Sequence, residues 1–221
     1  MNSIRSSESG RKPRGRPSHD DSLALRTTIL REALEEFLAR GFEGANIDAI
    51  ARRAGVGRAT IYRQYGGKDS LFRAAVENRN AALIADLRAV TSQQKPPEVV
   101  LLEIIERIYE ALTSAETLAI VRLSVAEAGR FPDICAAIWE AETREILAPV
   151  VEYLGRLKTD GILDLGDPPD AAYHLINLAC GGLRFLLNKP LPRGKARPRW
   201  AQSVLQMILP ALRHQRAPRR R

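Results

Sequence analysis

The side chains with the clearest chemical potential belong to a short segment, residues 58–65, which reads Arg-Ala-Thr-Ile-Tyr-Arg-Gln-Tyr. Its guanidinium, hydroxyl and amide groups are of the types that hydrogen-bond to base edges and to phosphate oxygens. Because so few of these residues are apolar, the segment would make a poor core helix. Its composition predicts an exposed helix suited to the major groove of DNA, with its N-terminal residues at the base edges.

A second helix and a tight turn must position that segment. Residues 47–54 precede it, Asn46 is a good N-cap for them, and Gly55 is a good C-terminal stop. The apolar side chains of this helix share one face: Ile47, Ile50 and Ala51. A short helix, a glycine turn and a second helix with exposed polar side chains together define a helix-turn-helix. We therefore predict this motif at residues 47–65.

A longer pattern surrounds the motif and extends over residues 22–72. Its residues are, in order, Gly41-Phe42, Ile50-Ala51-Arg52-Arg53-Ala54-Gly55-Val56, Thr60-Ile61-Tyr62, Tyr65 and Lys68-Asp69-Ser70-Leu71. The pattern resembles the N-terminal domain of the TetR/AcrR family of regulators, and residues 131–187 are similar to the C-terminal domain of an AefR-like subgroup. The resemblance implies a sequence-specific DNA-binding transcriptional regulator. In this family such a protein is most often a dimeric repressor that a small molecule releases from a palindromic operator.

The resemblance also assigns DNA contacts to individual residues. Arg58 would read a guanine edge, whereas Thr60 and Tyr62 would hold phosphates. Gln64 would contact a base or a phosphate, and Lys68 would meet the backbone where the fourth helix begins. With a basic arm included, the expected DNA-binding residues are Arg14, Arg16, Asn46, Arg58, Ala59, Thr60, Tyr62, Arg63, Gln64 and Lys68. The alternative for each exposed arginine is a solvated surface charge.

Three residues depart from the family pattern. Gly57 replaces a frequent serine cap, Ala59 stands where glycine or proline is common, and Gly67 replaces the usual serine or asparagine. We therefore expect the helix at 58–65 and the helix after it to be less tightly capped at their starts.

Charge is distributed unevenly along the 221 residues, whose formal net charge is +8. Residues 1–75 carry a net +5, residues 76–188 a net −7 and residues 189–221 a net +10. Two basic segments around an acidic middle suit contact with a polyanion. In the first segment, Arg14-Gly15-Arg16-Pro17 resembles an AT-hook core that is thin enough for the minor groove of A·T-rich DNA. The alternative is a solvated tail.

The C-terminal part of the chain is implied by the resemblance to dimerise and to bind a small molecule. Two helices would form a four-helix interface across a two-fold axis, or else an intrachain core, through Leu175, Leu178, Ala179, Gly182, Leu183, Leu186, Val204, Leu205, Ile208 and Leu212. The candidates for an effector pocket are Tyr109, Leu118, Val121, Arg122, Val125, Phe131, Ile138 and Trp139. For any single one of them, plain core is the favoured alternative. Arg122 would pair with an anionic ligand group or with an acidic neighbour. The apolar bias of the set favours a small hydrophobic or amphipathic effector.

Periodicity predicts an all-α fold of about nine helices. The expected division is a disordered basic arm at 1–20, a helix-turn-helix DNA-binding domain at 21–70, a ligand-binding and dimerisation domain at 71–215 and a basic tail at 216–221. Gly41 should stop the first helix, and Pro149 should kink or end a helix predicted at 133–159.

Other classes of protein are disfavoured. The histidines His19, His174 and His214 are dispersed, and no phosphate-cradling loop or metal-ligand motif accompanies them, so we expect no catalytic, cofactor or metal site. No apolar run approaches the ~20 residues that span a membrane. The sequence shows no secretory signal, and its two cysteines are expected to be reduced thiols. Both features favour a cytoplasmic location. The remaining rival is an architectural protein that binds A·T-rich DNA without an effector.

Overall fold

The computed structural model describes residues 19–180, 192, 194 and 196–212, and within those ranges it is built from α-helices without strands. The helices found there are α1 His19–Gly44, α2 Ile47–Ala54, α3 Arg58–Tyr65, α4 Lys68–Thr91, α5 Pro97–Leu112, α6 Ala115–Glu127, α7 Pro132–Thr159, α8 Pro168–Cys180 and α9 Ala196–Leu212. The predicted all-α fold is confirmed. Residues 1–18 of the predicted basic arm, with Arg14 and Arg16, and the predicted tail at 216–221 lie outside the described residues. The prediction of a disordered arm as far as residue 20 was wrong at its end, because His19 and Asp20 begin α1.

The break in α1 occurs at a glycine, as the sequence predicted. Gly41 has φ 73° and ψ 172°, so the helix is interrupted there before a further turn that reaches Gly44. This φ strains any residue with a side chain, and a Cβ would also come within 3.0 Å of Glu127 Oε1. Glycine therefore lets the chain bend and lets Glu127 approach the bend.

Helix α7 runs through a proline. Pro149 lies inside the helix, which continues to Thr159 rather than ending early. The ring removes one helical hydrogen bond, but Leu147, Val150 and Leu154 around it are all buried. Packing of this apolar face keeps the helix continuous.

The helices bury two clusters of apolar side chains. The first core joins α1, α2, α3 and the start of α4 with Ile120 of α6. The second core joins the rest of α4 with α5, α7, α8 and α9. Helix α4 belongs to both, through Leu71 and Val76 in the first core and Leu87 in the second. The helix therefore connects the two cores directly.

The middle of α4 is fastened to the turn between α5 and α6 by one arginine. Arg79 donates hydrogen bonds to Ser114 Oγ at 3.0 Å and to Ala111 O at 3.4 Å, and it also bonds the Thr117 hydroxyl. Its side chain is only 14% exposed and forms an ion pair with Glu116. Arg79 therefore joins the middle of α4 to the α5–α6 turn.

Two further features of the described chain concern membrane-spanning helices and the state of the cysteines. None of the helices described is both long and apolar enough to cross a membrane. Cys135 and Cys180 are free thiols, and burial raises the pKa of Cys180 to about 12. Cys180 is therefore protonated at neutral pH and packs as a small apolar side chain.

Candidate nucleic-acid interface

The outer face of α3 is polar and open to solvent. Ile61 is the buried residue of this helix, and its side chain packs in the first core. Thr60 is half-buried, and the exposed residues are Arg58, Ala59, Tyr62, Arg63 and Gln64. The predicted division between the packed and the outward face of this helix is therefore observed, whereas contact with DNA remains a prediction.

Helix α2 is held by caps at both ends. The side chain of Asn46 accepts hydrogen bonds from Asp48 N–H at 2.8 Å and Ala49 N–H at 3.3 Å. Gly55 takes the left-handed conformation at φ 69° and ψ 27°, and Val56 N–H then bonds back to Ala51 O at 3.0 Å. The glycine turn therefore closes α2 and redirects the chain into α3, as a helix-turn-helix requires.

An ionic network attaches α2 to α1. Arg53 donates to Glu32 Oε2 at 2.8 Å and to Glu36 Oε2 at 2.9 Å, and the side chains of these two glutamates are 9% and 8% exposed. Glu36 also accepts the backbone N–H of Asn46 at 3.2 Å. Burial by itself would raise the pKa of Glu36, but the hydrogen bonds from Arg53 and Asn46 and the charge of Arg53 outweigh burial and lower it.

Sequence reasoning missed this network. The available signal was that Glu32 and Glu36 stand four residues apart beside the apolar residues Ala33 and Phe37 of an amphipathic helix. Carboxylates at such positions are buried only if a cation satisfies them. The spacing did not show which arginine would supply the charge.

Four of the predicted DNA-binding residues line one groove. It has a volume of about 300 Å³ and is lined by Gly44, Ala45, Asn46, Ile47, Asp48, Arg58, Tyr62 and Lys68. These four residues come from three parts of the fold: Asn46 from the cap of α2, Arg58 and Tyr62 from the exposed face of α3, and Lys68 from the start of α4. The fold thus gathers residues that are up to 22 positions apart in the chain.

The guanidinium of Arg58 has partners on two helices. Its Nη1 lies 3.5 Å from Asp48 Oδ2, its Nη2 donates to Tyr62 Oη at 3.3 Å, and it lies 5.2 Å from the centre of the Tyr62 ring. The pKa of Arg58 is raised, first by the hydrogen bond to Tyr62 and then by the charge of Asp48. Arg58 is therefore cationic at every pH at which DNA binding would be measured.

The starts of α3 and α4 present backbone donors and a lysine. Gly57 and Gly67 precede these helices and provide no side-chain cap, as predicted from the departures from the family pattern. Lys68 donates to Glu43 O at 2.8 Å and lies 6.0 Å from the centre of the Phe42 ring. Uncapped N–H groups and a positive helix end are favourable partners for a phosphate.

The bend at Gly41 in α1 is also in contact with the end of α6 and the turn between α6 and α7. Glu127 Oε1 accepts the backbone N–H of Phe42 at 3.2 Å, and Arg130 pairs with the carboxylate of Glu43. The rings of Phe42 and Phe131 lie 5.1 Å apart. Since Glu43 also holds Lys68, this junction connects the C-terminal part of the chain to the groove. The sequence analysis did not predict this junction, because its partners are more than 80 positions apart in the chain.

The residues predicted for a dimer interface divide into three groups. Leu175, Ala179, Val204 and Leu205 are buried in the second core of the same chain. Leu178 is 37% exposed and Ile208 is partly buried. Gly182, Leu183 and Leu186 and the side chain of Leu212 lie outside the described part. Leu175, Leu178 and Ile208 also line a groove of about 830 Å³ between α7, α8 and α9.

The residues predicted for an effector pocket are dispersed in the described chain. Tyr109 is buried, with its hydroxyl donating to Pro192 O at 2.8 Å, and Leu118 is also buried. Phe131 packs against the first core, whereas Val125 and Trp139 are 61% and 55% exposed. Val121 is partly buried and Arg122 is exposed, and the side chain of Ile138 is outside the described part. In the described residues, no group of three or more potential metal ligands is present.

Comparison with known proteins gives two family matches. Residues 29–75 match the model described as bacterial regulatory proteins, tetR family. Residues 99–212, about half of the chain, match the AefR-like transcriptional repressor C-terminal domain. Together the two models cover the helix-turn-helix and most of the helices after α4.

Individual relatives agree with these matches. The HTH-type transcriptional regulator SrpR of Pseudomonas putida is 31% identical over 84 residues, which are 38% of this chain and 39% of SrpR. A TetR-family regulator structure from Mesorhizobium loti superposes with a TM-score of 0.73 at 25% identity, over 86% of this chain and 97% of that one. The flavonoid-responsive regulator FrrA has a TM-score of 0.65 at 23% identity, over 88% of this chain and 99% of FrrA. The chain thus spans about two fifths of SrpR and nearly all of the two structural neighbours.

Proposed function

Because the chain belongs to the TetR family of bacterial regulatory proteins, we propose that this transcriptional regulator is a repressor that a small-molecule effector releases from a palindromic operator. Its DNA-binding helix-turn-helix is followed by an AefR-like C-terminal domain. The proposed working division is DNA binding by residues 21–70 and effector binding and dimerisation by residues 71–215. The observation that carries the proposal is the groove in which Asn46, Arg58, Tyr62 and Lys68 meet beside the exposed face of α3.

In this proposal α3 lies in the major groove of the operator. Arg58 donates to the O6 and N7 atoms of a guanine, and Thr60 and Tyr62 hold phosphates on either side. Lys68 and the uncapped start of α4 meet the sugar-phosphate backbone. The side-chain oxygen of Asn46 is already used by its cap, so a phosphate would meet its amide nitrogen. The remaining proposed contacts are Ala59, Arg63, Gln64 and, from the arm, Arg14 and Arg16.

Dimerisation follows from the small footprint of one such helix. One recognition helix reads only a few base pairs, and two of them about 34 Å apart read a pseudo-palindrome on one face of the duplex. The proposed interface is the α8–α9 surface, where Tyr173, Leu178 and Met207 are 44%, 37% and 63% exposed. Apolar side chains that are exposed in one chain can be buried against the same surface of a second copy.

A footprint of the full chain on DNA selected from a random pool tests this assignment. We expect one discrete protected site with two inverted half-sites about one helical turn apart. Broad protection of A·T-rich DNA with no repeated half-site would contradict the proposal and favour the architectural rival.

Effector release is proposed to act through α4 and the bend at Gly41 in α1. A ligand that favours one arrangement of α5–α7 would shift α4 through Arg79 and shift Phe42 through Glu127, which changes the separation of the two recognition helices. The proposed effector is a small hydrophobic or amphipathic molecule held among residues 97–159. FrrA, which shares the fold, is described as flavonoid-responsive, so flavonoids are suitable first probes.

The effector proposal predicts a measurable coupling between two ligands. Compounds that raise the thermal stability of the full chain should lower its operator affinity by about 5- to 150-fold, a typical range for coupled sites. Fluorescence anisotropy of a labelled operator, with and without each stabilising compound, measures this change. If every stabilising compound left operator affinity unchanged, effector release would be wrong while operator binding itself would stand.

A further inference from the structure

One carboxylate lies among the cations of the proposed DNA surface. The groove beside α3 is lined by eight residues, and Asp48 is the acidic one among them. A negative charge at this place repels phosphates and lowers affinity for every DNA sequence alike. A carboxylate that weakens DNA binding needs another role to explain its presence in this groove.

The position of Asp48 defines what that role can be. It lies in the first turn of α2, and its Oδ2 atom is 3.5 Å from Nη1 of Arg58, which begins α3. Tyr62 accepts from the other terminal nitrogen, Nη2, at 3.3 Å. The two partners are on different helices and engage different nitrogens, so together they restrict both the position and the plane of the guanidinium.

The ion pair contributes little to the stability of the fold. The side chains of Arg58 and Asp48 are 59% and 48% exposed, and exposed pairs of this kind are worth about 0–1 kcal/mol. The network of Arg53 is different, because its glutamates are less than 10% exposed. The Arg53 network, and not the Asp48–Arg58 pair, attaches α2 to α1, so the consequence of this pair lies in the orientation of Arg58.

Orientation matters because guanine is read by a planar, two-point contact. An arginine plane aligned with O6 and N7 donates to both atoms, whereas a freely rotating side chain loses entropy when it is fixed. Arginine has more N–H donors than Asp48 and Tyr62 use, so donors remain for the base. A held guanidinium distinguishes guanine from other bases better than a mobile one does.

We propose that Asp48 is a specificity-determining positioning residue: it orients Arg58 for a guanine edge and lowers the affinity for DNA in general. This inference rests on the proposed base contact of Arg58. It goes further by assigning a function to a residue that carries the wrong charge for DNA binding.

The test compares Asp48→Asn with the parent on two duplexes of equal length, one carrying the selected operator and one of unrelated sequence. In the full chain, we expect Asp48→Asn to bind the unrelated duplex about 2- to 5-fold more tightly, because one negative charge per subunit is removed. We expect the ratio of operator to unrelated affinity to fall about 10-fold or more, with weaker guanine preference at one position of each half-site. Asp48→Glu should restore most of the ratio, since the carboxylate is retained.

A matched control separates charge from positioning. Asp69→Asn makes the same charge change in the first turn of α4, and it should leave the ratio unchanged. An unchanged ratio in Asp48→Asn, or an equal fall in Asp69→Asn, would overturn the positioning role. If Arg58→Ala also left the ratio intact, the base contact of Arg58 would itself be wrong, and that result is distinct from failure of Asp48 alone.

Discussion

Simultaneous replacement of Arg58, Tyr62 and Lys68 by alanine should abolish specific operator binding while the chain stays folded. Each side chain is at least partly exposed and lines the groove beside α3. A good arginine–guanine pair is worth about 1–3 kcal/mol, and loss of a phosphate contact weakens binding further. Since both subunits of a dimer lose these contacts, we expect a fall in affinity of roughly 1,000-fold or more. Fluorescence anisotropy at several salt concentrations measures both the affinity and its salt dependence.

The control for this variant removes the same positive charge elsewhere. Arg88 and Arg107 are 58% and 52% exposed and make only long ion pairs, at 3.8 and 4.0 Å. Replacing both by alanine should change operator affinity by less than about 3-fold, because screening limits distant exposed charges. The slope of affinity against salt should decrease only in the triple variant, by about one for each lost phosphate contact. A folded triple variant that binds the operator as tightly as the parent would refute the interface.

Replacement of Arg53 by alanine should strongly destabilise the helix-turn-helix. It leaves Glu32 and Glu36 nearly buried without their cation. Removing one partner of a fully buried pair costs about 3–5 kcal/mol. Arg53 is 40% exposed, so water can partly solvate the site and we expect a loss of about 2–3 kcal/mol at pH 7. Urea unfolding at a fixed protein concentration measures the change.

The neighbouring residue provides the control and pH provides a second check. Arg52→Ala, at an exposed position on the same helix, should change stability by no more than about 0.5 kcal/mol. The pKa of Glu36 lies below its ordinary value of 4.5 in the parent. Its contribution is therefore fully present above pH 4.5 and is lost as the pH falls through the folded pKa. The difference between Arg53→Ala and the parent should thus shrink below pH 4.5, and a constant difference down to pH 3 would contradict the ion-pair explanation.

Much of the fold could be predicted because its signals are local. Helical periodicity, the cap at Asn46 and the stops at Gly41 and Gly55 each depend on a few consecutive residues. Periodicity also predicted a helix at 133–159, but it left open whether Pro149 would kink this helix or end it. Proline weakens a helix locally, and burial of the side chains around Pro149 in the second core compensates for this loss.

The same distinction between local signals and long-range packing applies to the residues of the site. Exposure of the α3 face follows from its composition, and four of the groove residues, Asn46, Arg58, Tyr62 and Lys68, were predicted as DNA contacts from the resemblance to the family. Asp48, Glu127 and Arg79 were not predicted, because each acts through a partner on another helix. The predicted pocket residues are apolar, and apolar side chains suit a packed core and a ligand pocket equally well.

The sequence by itself determined that the chain is helical, that residues 47–65 form a helix-turn-helix and that polar side chains of α3 face outward. These properties are set by short-range periodicity and turn geometry, which neighbouring residues encode directly. Only the tertiary structure decided that Arg53 neutralises two nearly buried glutamates, that Asp48 meets Arg58 and that Glu127 caps the bend at Gly41. Those contacts depend on how helices pack in three dimensions, and a pair of charges far apart in the chain becomes specific only when packing brings the two within a few ångströms.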